Sequence, residues 1–200
     1  MQSVQNGRDV AESSTGRPTA VSVALLYETS PVLTQWFESL VAELRGTGRS
    51  LAGLIQHDVP QPGRSRCDMV LHELATGRSM SISEDLGAGA ISCRLSTPRL
   101  LEAAQLVENQ LPDADVVFLN KFGKAEAEGG GLRDLIARCV DSGKSLVIGV
   151  PQGNRAAWRE FCGEFFTTVI ATPEPQPKQI AELAALLDTV AARNELPRTT

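Results

Sequence analysis

Asp115-Val116-Val117-Phe118-Leu119-Asn120-Lys121-Phe122-Gly123-Lys124-Ala125-Glu126-Ala127-Glu128-Gly129 opens as an apolar run and passes straight into a charged loop that contains glycine. The apolar part reads as a buried strand, and a helix is expected to start near Leu132. Loops at the carboxyl ends of strands are where α/β proteins hold ligands. This one carries two lysines, two glutamates and an asparagine, and after Phe122 it has no bulky apolar residue. A plain surface turn has no need of that density of charge, so the loop is the first candidate for the working site.

The flanking sequence repeats the same alternation. Ala20 to Leu26 is a short apolar run consistent with a buried parallel strand. Thr29 or Ser30 is a candidate helix cap with Pro31 in the first turn, and Trp36, Phe37, Leu40, Val41 and Leu44 follow at helical spacing. Leu51 to Gln56 reads as a strand and Val59 to Gly63 as a loop. Cys67 to Leu74 and Arg78 to Ser83 read as an antiparallel hairpin turning at Gly77, followed by a loop at Asp85 to Gly89 and a short strand at Ile91 to Leu95. Thr97 is expected to cap a helix reaching Gln110. Beyond the opening stretch come a helix from Leu132 to Val140, a strand from Ser145 to Val150, and a helix capped by Asn154. A strand from Thr167 to Ala171 and a helix from Ile180 to about Ala192 complete the chain. Strands alternating with helices imply α/β architecture in three layers, a mostly parallel sheet with helices on both faces and the hairpin as an insertion over about residues 60–95. Residues 19–193 are expected to form one domain, preceded by a disordered polar leader at 1–18 and followed by a flexible tail at 194–200.

Composition narrows the classes. Net charge is −5 with acids and bases intermixed, which argues against general nucleic-acid binding or a polybasic membrane surface. No apolar run approaches the length of a membrane span, and no secretory signal is evident, so a cytoplasmic location without membrane insertion is expected. None of the four cysteines forms a CxxC pair. Cys139 and Cys162 read as small core residues, whereas Cys67 and Cys93 flank the hairpin.

The loop after the first strand, Tyr27-Glu28-Thr29-Ser30-Pro31, stands where a nucleotide-binding α/β protein places a glycine-rich phosphate cradle. It has neither glycine nor lysine, and Glu28 would repel a triphosphate. Gly143-Lys144-Ser145 imitates the end of such a cradle but precedes a strand, so it reads as a helix end. Asn120-Lys121-Phe122-Gly123 imitates a guanine-reading NKxD sequence but has glycine in place of the aspartate.

The run LNKFGKAEAEGGGLRD, with QHDVPQPGRSRCDMVLHELATGRSMSISEDLGAGAISCRL upstream, resembles the bacterial domain-of-unknown-function family 2478 over roughly residues 20–172. The resemblance implies a P-loop-NTPase-like fold and, for some members, a connection with molybdenum transport. In the similar triphosphatases a strand ends in Asp-Glu-Ile-Gly-Lys-Met-Glu. By that likeness Asn120 stands for the metal-holding aspartate and Lys121 for the glutamate that positions water, while Gly123, Lys124 and Glu126 match directly. Asparagine lacks the charge that favours Mg²⁺, and lysine is no base at neutral pH unless burial lowers its pKa by several units. Both halves of the Mg-nucleotide apparatus are therefore altered, and degenerate Walker motifs are the expectation.

Two sets of candidate residues follow. Lys121, Lys124 and Arg133, with Asn120, Gly123 and Gly129, form an anion-binding group suited to a nucleotide or a molybdate-like oxyanion without a metal. The competing reading pairs the lysines with Glu126, Glu128 and Asp134 as solvated ion pairs. Glu126 and Glu128 are the candidate bases if the chain is a divergent nucleotide phosphohydrolase. The second set, Gln56-His57-Asp58, Cys67-Asp68, Ser83-Glu84-Asp85 and Cys93-Arg94, meets the first if the hairpin folds over the carboxyl edge of the sheet, and Glu28 and Ser30 after the first strand are further candidate ligand-binding residues. His57, Cys67, Asp68 and Cys93 include ligand types for a soft metal in no standard zinc spacing, and Cys67 with His57 as base is a conceivable nucleophile. Three roles remain open: an accessory module holding a small anion, an enzyme, and an adaptor for a protein partner in molybdenum handling.

Overall fold

Val23, Leu25 and Tyr27 pack to one side of the first strand and Ala24 and Leu26 to the other, so a single strand feeds two hydrophobic cores. This two-sided burial follows from the strand's unbroken apolar sequence. The computed structural model describes residues 20–60, 67–84, 94–163 and 166–194, leaving aside the side chains of Arg94 and residues 189–194. The elements are β1 (Ser22–Tyr27), α1 (Ser30–Gly46), β2 (Leu51–Pro60), β3 (Cys67–Glu73), β4 (Ser79–Ser81), β5 (Ser83–Glu84), β6 (Arg94–Leu95) and α2 (Thr97–Gln110). They continue with β7 (Val116–Asn120), α3 (Lys124–Ala127), α4 (Arg133–Asp141), β8 (Ser145–Pro151), α5 (Arg155–Cys162), β9 (Thr167–Ile170) and α6 (Pro177–Asn194).

Seven strands form one sheet in the order β4-β3-β2-β7-β8-β1-β9. From β2 to β9 the pairing is parallel, and β3 and β4 join antiparallel at the far edge. Helices α1 and α6 cover one face through Trp36, Phe37, Leu40, Ile180 and Leu187. Helices α2, α4 and α5 cover the other through Leu100, Val107, Ile136, Cys139 and Trp158. The three-layer, mostly parallel arrangement with an antiparallel hairpin is therefore present.

The hairpin is integrated more deeply than the sequence suggests. β2 does not stop at Gln56. It continues to Pro60, pairing with β3 from Leu54↔Glu73 to Pro60↔Cys67, so Val59 and Pro60 are strand where a loop was expected. The outer half of β2 carries exposed polar residues and a proline, which hides its strand character from an apolar-run reading. Gly77, at φ +73°, supplies the expected turn, and Glu73 fastens it by accepting hydrogen bonds from the amides of Ala75 and Thr76, each at 2.8 Å.

Three expected caps differ. Ser96, not Thr97, precedes α2, and neither it nor Thr29 makes a side-chain cap bond. Asn154 sits before α5, but its amide donates to the Phe122 carbonyl at 3.2 Å, tying α5 to the β7 loop instead of capping. Gly143, at φ +69°, closes α4 as expected, and Lys144 donates to the carbonyls of Pro112 at 3.1 Å and Ala114 at 2.7 Å, ahead of β7, not to the end of α4. The expected loop at Asp85 to Gly89, most of the strand at Ile91 to Leu95, the polar leader and the tail lie outside the described residues.

Cys139 and Cys162 are core residues, as expected. Burial, with a smaller push from the Glu108 carboxylate, raises the Cys139 thiol to about 12. Ionisation thus favours the unfolded chain. The contribution to stability is intact below the ordinary thiol value of 9.0 and is lost as pH climbs from there towards about 12. At pH 8 the folded protein should alkylate at Cys139 at least ~100-fold more slowly than the chain in urea, read by mass spectrometry of the Cys139 peptide.

Candidate functional site

β7 delivers Asn120 to the carboxyl edge of the sheet, and the chain leaves through a cis Asn120–Lys121 peptide. Phe122 then drives back into the core. It is fully buried, its amide donates to the Gly149 carbonyl at 2.8 Å, and its ring lies 5.1 Å from Trp158 and 5.4 Å from Phe161. With Phe122 as anchor, the residues on either side of it are held at a fixed height above the strand ends.

The rest of the loop closes on Glu126. The sequence reading left Lys124 to Glu128 as open loop, yet α3 forms there, and Glu126 is only 4 % exposed. One carboxylate oxygen accepts from the Gly123 amide at 2.7 Å, and the other accepts from the Leu132 amide at 2.8 Å. Gly131, at φ +60°, passes so close to this carboxylate that a Cβ there would sit 2.7 Å from the Glu126 Cδ. Glycine and glutamate in this motif therefore form one clasp: a buried carboxylate satisfied by backbone amides, in a space only glycine leaves open.

The clasp borders a cleft of about 250 Å³. Asn120, Lys121, Gly123, Lys124 and Glu126 line one side, and Gln56 joins them from β2. Met69, Ile82, Leu95 and Leu100 come from the hairpin, β6 and the start of α2. The expected meeting of the β7 loop with the hairpin is thus realised, through residues that were not all foreseen. Asn120 is 6 % exposed, and among the described residues no group hydrogen-bonds its side-chain amide. Lys121 is half-buried and makes no ion pair among the described residues.

The remaining candidates are placed elsewhere. Lys124 borders the cleft, but its ammonium is exposed and lies 3.6 Å from Glu128, so the solvated-pair reading holds for that lysine. Glu128 itself is exposed and does not line the cleft. Arg133 is turned away: its guanidinium stacks 4.4 Å over the Phe161 ring and donates to the Glu126 carbonyl at 3.3 Å. The three cations therefore do not converge. Gly129 is exposed, with φ +95°, past the end of α3.

Of the second set, Gln56 reaches the cleft and His57, Cys67 and Asp68 do not line it. Strand parity puts His57 on the α1 face, where it lines a separate groove with Glu38 and Val41, its ring centroid 6.4 Å from that of His72. Cys67 pairs with Pro60, three residues from His57, and so projects to the opposite face, which separates the proposed nucleophile from its base. Asp68 pairs with Val59, on the His57 side. Among the described residues no three His, Cys, Asp or Glu side chains come together as a metal site, and Cys93 and the Arg94 side chain lie outside them.

Glu28 and Ser30 follow β1, which β8 separates from β7, and neither lines the cleft. In that turn the Thr29 carbonyl accepts from the amides of Val32 and Leu33, and Pro31 has no N–H to offer. The Leu33 side chain fills the space over Gly149, where a Cβ would stand 2.9 Å from Leu33 Cδ1.

The sequence offers Gln56-His57-Asp58 together, and of these His57 is the natural choice of ligand whereas Gln56 is the one that lines the cleft. In a strand only register decides which of two adjacent polar residues faces a site, and a single sequence does not give register. Met69, Leu95 and Leu100 were passed over because apolar residues in amphipathic elements read as core.

Comparison with known proteins fits this architecture. The crystal structure of THEP1 from the hyperthermophile Aquifex aeolicus superposes with a TM-score of 0.64 over 84% of this chain and 99% of that one, at 18% identity, a likeness of fold. The fold is P-loop-NTPase-like. The molybdenum import ATP-binding protein ModC 2 of Bradyrhizobium diazoefficiens is 32% identical over 148 residues, which is 74% of this chain but only 16% of that protein. No helix among the described residues is long and apolar enough to cross a membrane. Residues 22–176 match the family described as "Protein of unknown function (DUF2478)", and the chain belongs to that family.

Proposed function

We propose that the chain is an accessory binding module that holds a small anion, a nucleotide or an oxyanion, in the cleft between the β7 loop and the hairpin. The observation that carries this is Asn120: a residue 6 % exposed whose side-chain amide borders the cleft with no hydrogen-bond partner among the described residues, followed directly by the half-buried Lys121, which makes no ion pair among them. The amide faces the cleft and makes no protein hydrogen bond among the described residues, so its donor and acceptor are available to an occupant. The lysine gives that occupant its sign. Glu126 borders the same space, but its oxygens are committed to Gly123 and Leu132, and in this reading it holds the loop rather than moving protons.

The link to molybdenum rests on the name of the Bradyrhizobium relative. The matched segment is a small part of that longer protein, so a role beside molybdenum import belongs to this proposal and not to the comparison. Calorimetric titration with ATP, GTP, molybdate and tungstate tests the reading. At least one should bind, and Lys121→Ala should weaken it by about tenfold or more, the usual worth of a charge-assisted contact. Silence from all four ligands, or affinity untouched by Lys121→Ala, overturns it.

A further inference from the structure

We infer that the occupant of this cleft is an organic monophosphate with one flat ring system, such as a nucleoside monophosphate, rather than a bare oxyanion or an enclosed triphosphate. The inference rests on the anion-binding reading above and narrows it.

Three features of the cleft point the same way. The first is its unlike walls. A tetrahedral oxyanion is recognised by hydrogen-bond donors and cations, and apolar side chains against it only strip its hydration. Here Met69, Ile82, Leu95 and Leu100, with Leu132 from the start of α4, line the same space as Asn120 and Lys121. Ile82 and Leu100 belong to the core and Met69 packs against it, while Leu95, at 36% exposed, keeps apolar surface at the rim of the cleft. Apolar surface kept at the rim of a polar cleft suits a ligand with an apolar face.

The second is size. A cleft of about 250 Å³ leaves room beyond one tetrahedral ion. It is also below the roughly 300–1,000 Å³ of sites that enclose a drug-sized ligand. A small organic phosphate suits a volume of about 250 Å³ better than a bare ion does.

The third is charge. Lys121 is the one half-buried cation bordering the cleft among the described residues, Lys124 is shared with Glu128, and the Glu126 carboxylate borders the same space. With one uncommitted lysine among the described residues, the cleft offsets about one negative charge, which a monophosphate exceeds far less than a triphosphate does. A triphosphate would bring more negative charge than these groups offset.

The test is a calorimetric series on the full chain with AMP, GMP, ATP, ribose 5-phosphate, inorganic phosphate and molybdate, repeated on Leu95→Gln, Met69→Gln and Lys121→Ala. A nucleoside monophosphate should bind at least about tenfold tighter than ribose 5-phosphate, the ratio that roughly 60 Å² of apolar burial supplies. Leu95→Gln or Met69→Gln should erase that ratio and leave ribose 5-phosphate within about twofold, while Lys121→Ala weakens every phosphate alike. Because Leu95 is at the surface, its substitution tests the apolar wall without testing the fold. Equal affinity for ribose 5-phosphate, phosphate or molybdate overturns the inference and leaves the anion site standing, as does ATP binding tighter than AMP. Silence from every anion overturns both.

Discussion

Gly53→Ala is expected to leave little folded protein. Gly53 lies in β2 at φ +129°, a conformation that side chains other than glycine's rarely accept. A Cβ there would stand 2.6 Å from the backbone nitrogen of Phe118 and 2.7 Å from its carbonyl carbon. Those atoms belong to β7, the next strand, so no side-chain rotation relieves the clash. The position also hands β2 from one partner to another: Leu51 to Leu54 pair with β7 and Leu54 to Pro60 with β3, while the Gly53 carbonyl accepts from the Leu74 amide at 3.0 Å. Relief requires β2 and β7 to separate, which breaks the junction on which both walls of the cleft stand. We expect a loss above about 4 kcal/mol, comparable to the whole stability of many domains, and hence insoluble or molten product. Gly153→Ala, with open space around its Cβ position, is the control and should change the urea midpoint by less than its error. A Gly53→Ala protein with a wild-type midpoint would show that the close approach of β2 to β7 is not as described.

The contrast between Gly53 and its surroundings shows where the sequence is readable. β1, β7 and β8 are buried on both faces, so burial alone demands unbroken apolar runs and makes these strands plain. Helix α1 declares itself through Leu33, Trp36, Phe37, Leu40 and Leu44 at helical spacing. From those elements the layered architecture follows. The outer half of β2 is not legible, because its strand character comes from pairing with β3 and not from its own residues. Gly53 is equally silent: a glycine in a strand says that something comes close, but not what.

The same division runs through the site. The location was legible, since the charged loop after β7 does meet the hairpin at a cleft. The roles of individual charges were not. Lys121 and Lys124 look alike in sequence, yet one is half-buried without an ion pair among the described residues and the other is exposed beside Glu128. Arg133 looks like a third anion ligand until α4 turns it onto Phe161. Charge type is written in the chain, but direction is set by the turn of α3 and α4, which no local spacing encodes.

Glu126→Ala is expected to cost about 3–5 kcal/mol and to abolish binding in the cleft. The carboxylate is buried and accepts two backbone amides, from Gly123 and Leu132. Hydrogen bonds to a charged group contribute about 1.5–3 kcal/mol each, and removing the acceptor leaves two donors with no partner. The cost is not confined to stability. Gly123 lies between the cleft residues Lys121 and Lys124, and Leu132 opens onto α4, so losing the clasp frees the segment that aims Lys121. Glu126→Gln separates a brace from a catalytic base. An amide retains one acceptor oxygen but turns an NH₂ group towards one of the two backbone donors. A brace therefore loses an intermediate amount, about 1.5–3 kcal/mol by urea denaturation, and ligand affinity falls with it. A general base would instead lose turnover at nearly unchanged stability and affinity. Gly131→Ala should copy the brace phenotype, because its Cβ would displace the same carboxylate from a backbone held at φ +60°. If Glu126→Gln and Gly131→Ala both keep the wild-type midpoint, the clasp is not what fixes the loop. A nucleotide phosphatase activity that vanishes in Glu126→Gln alone would then move Glu126 from architecture to chemistry.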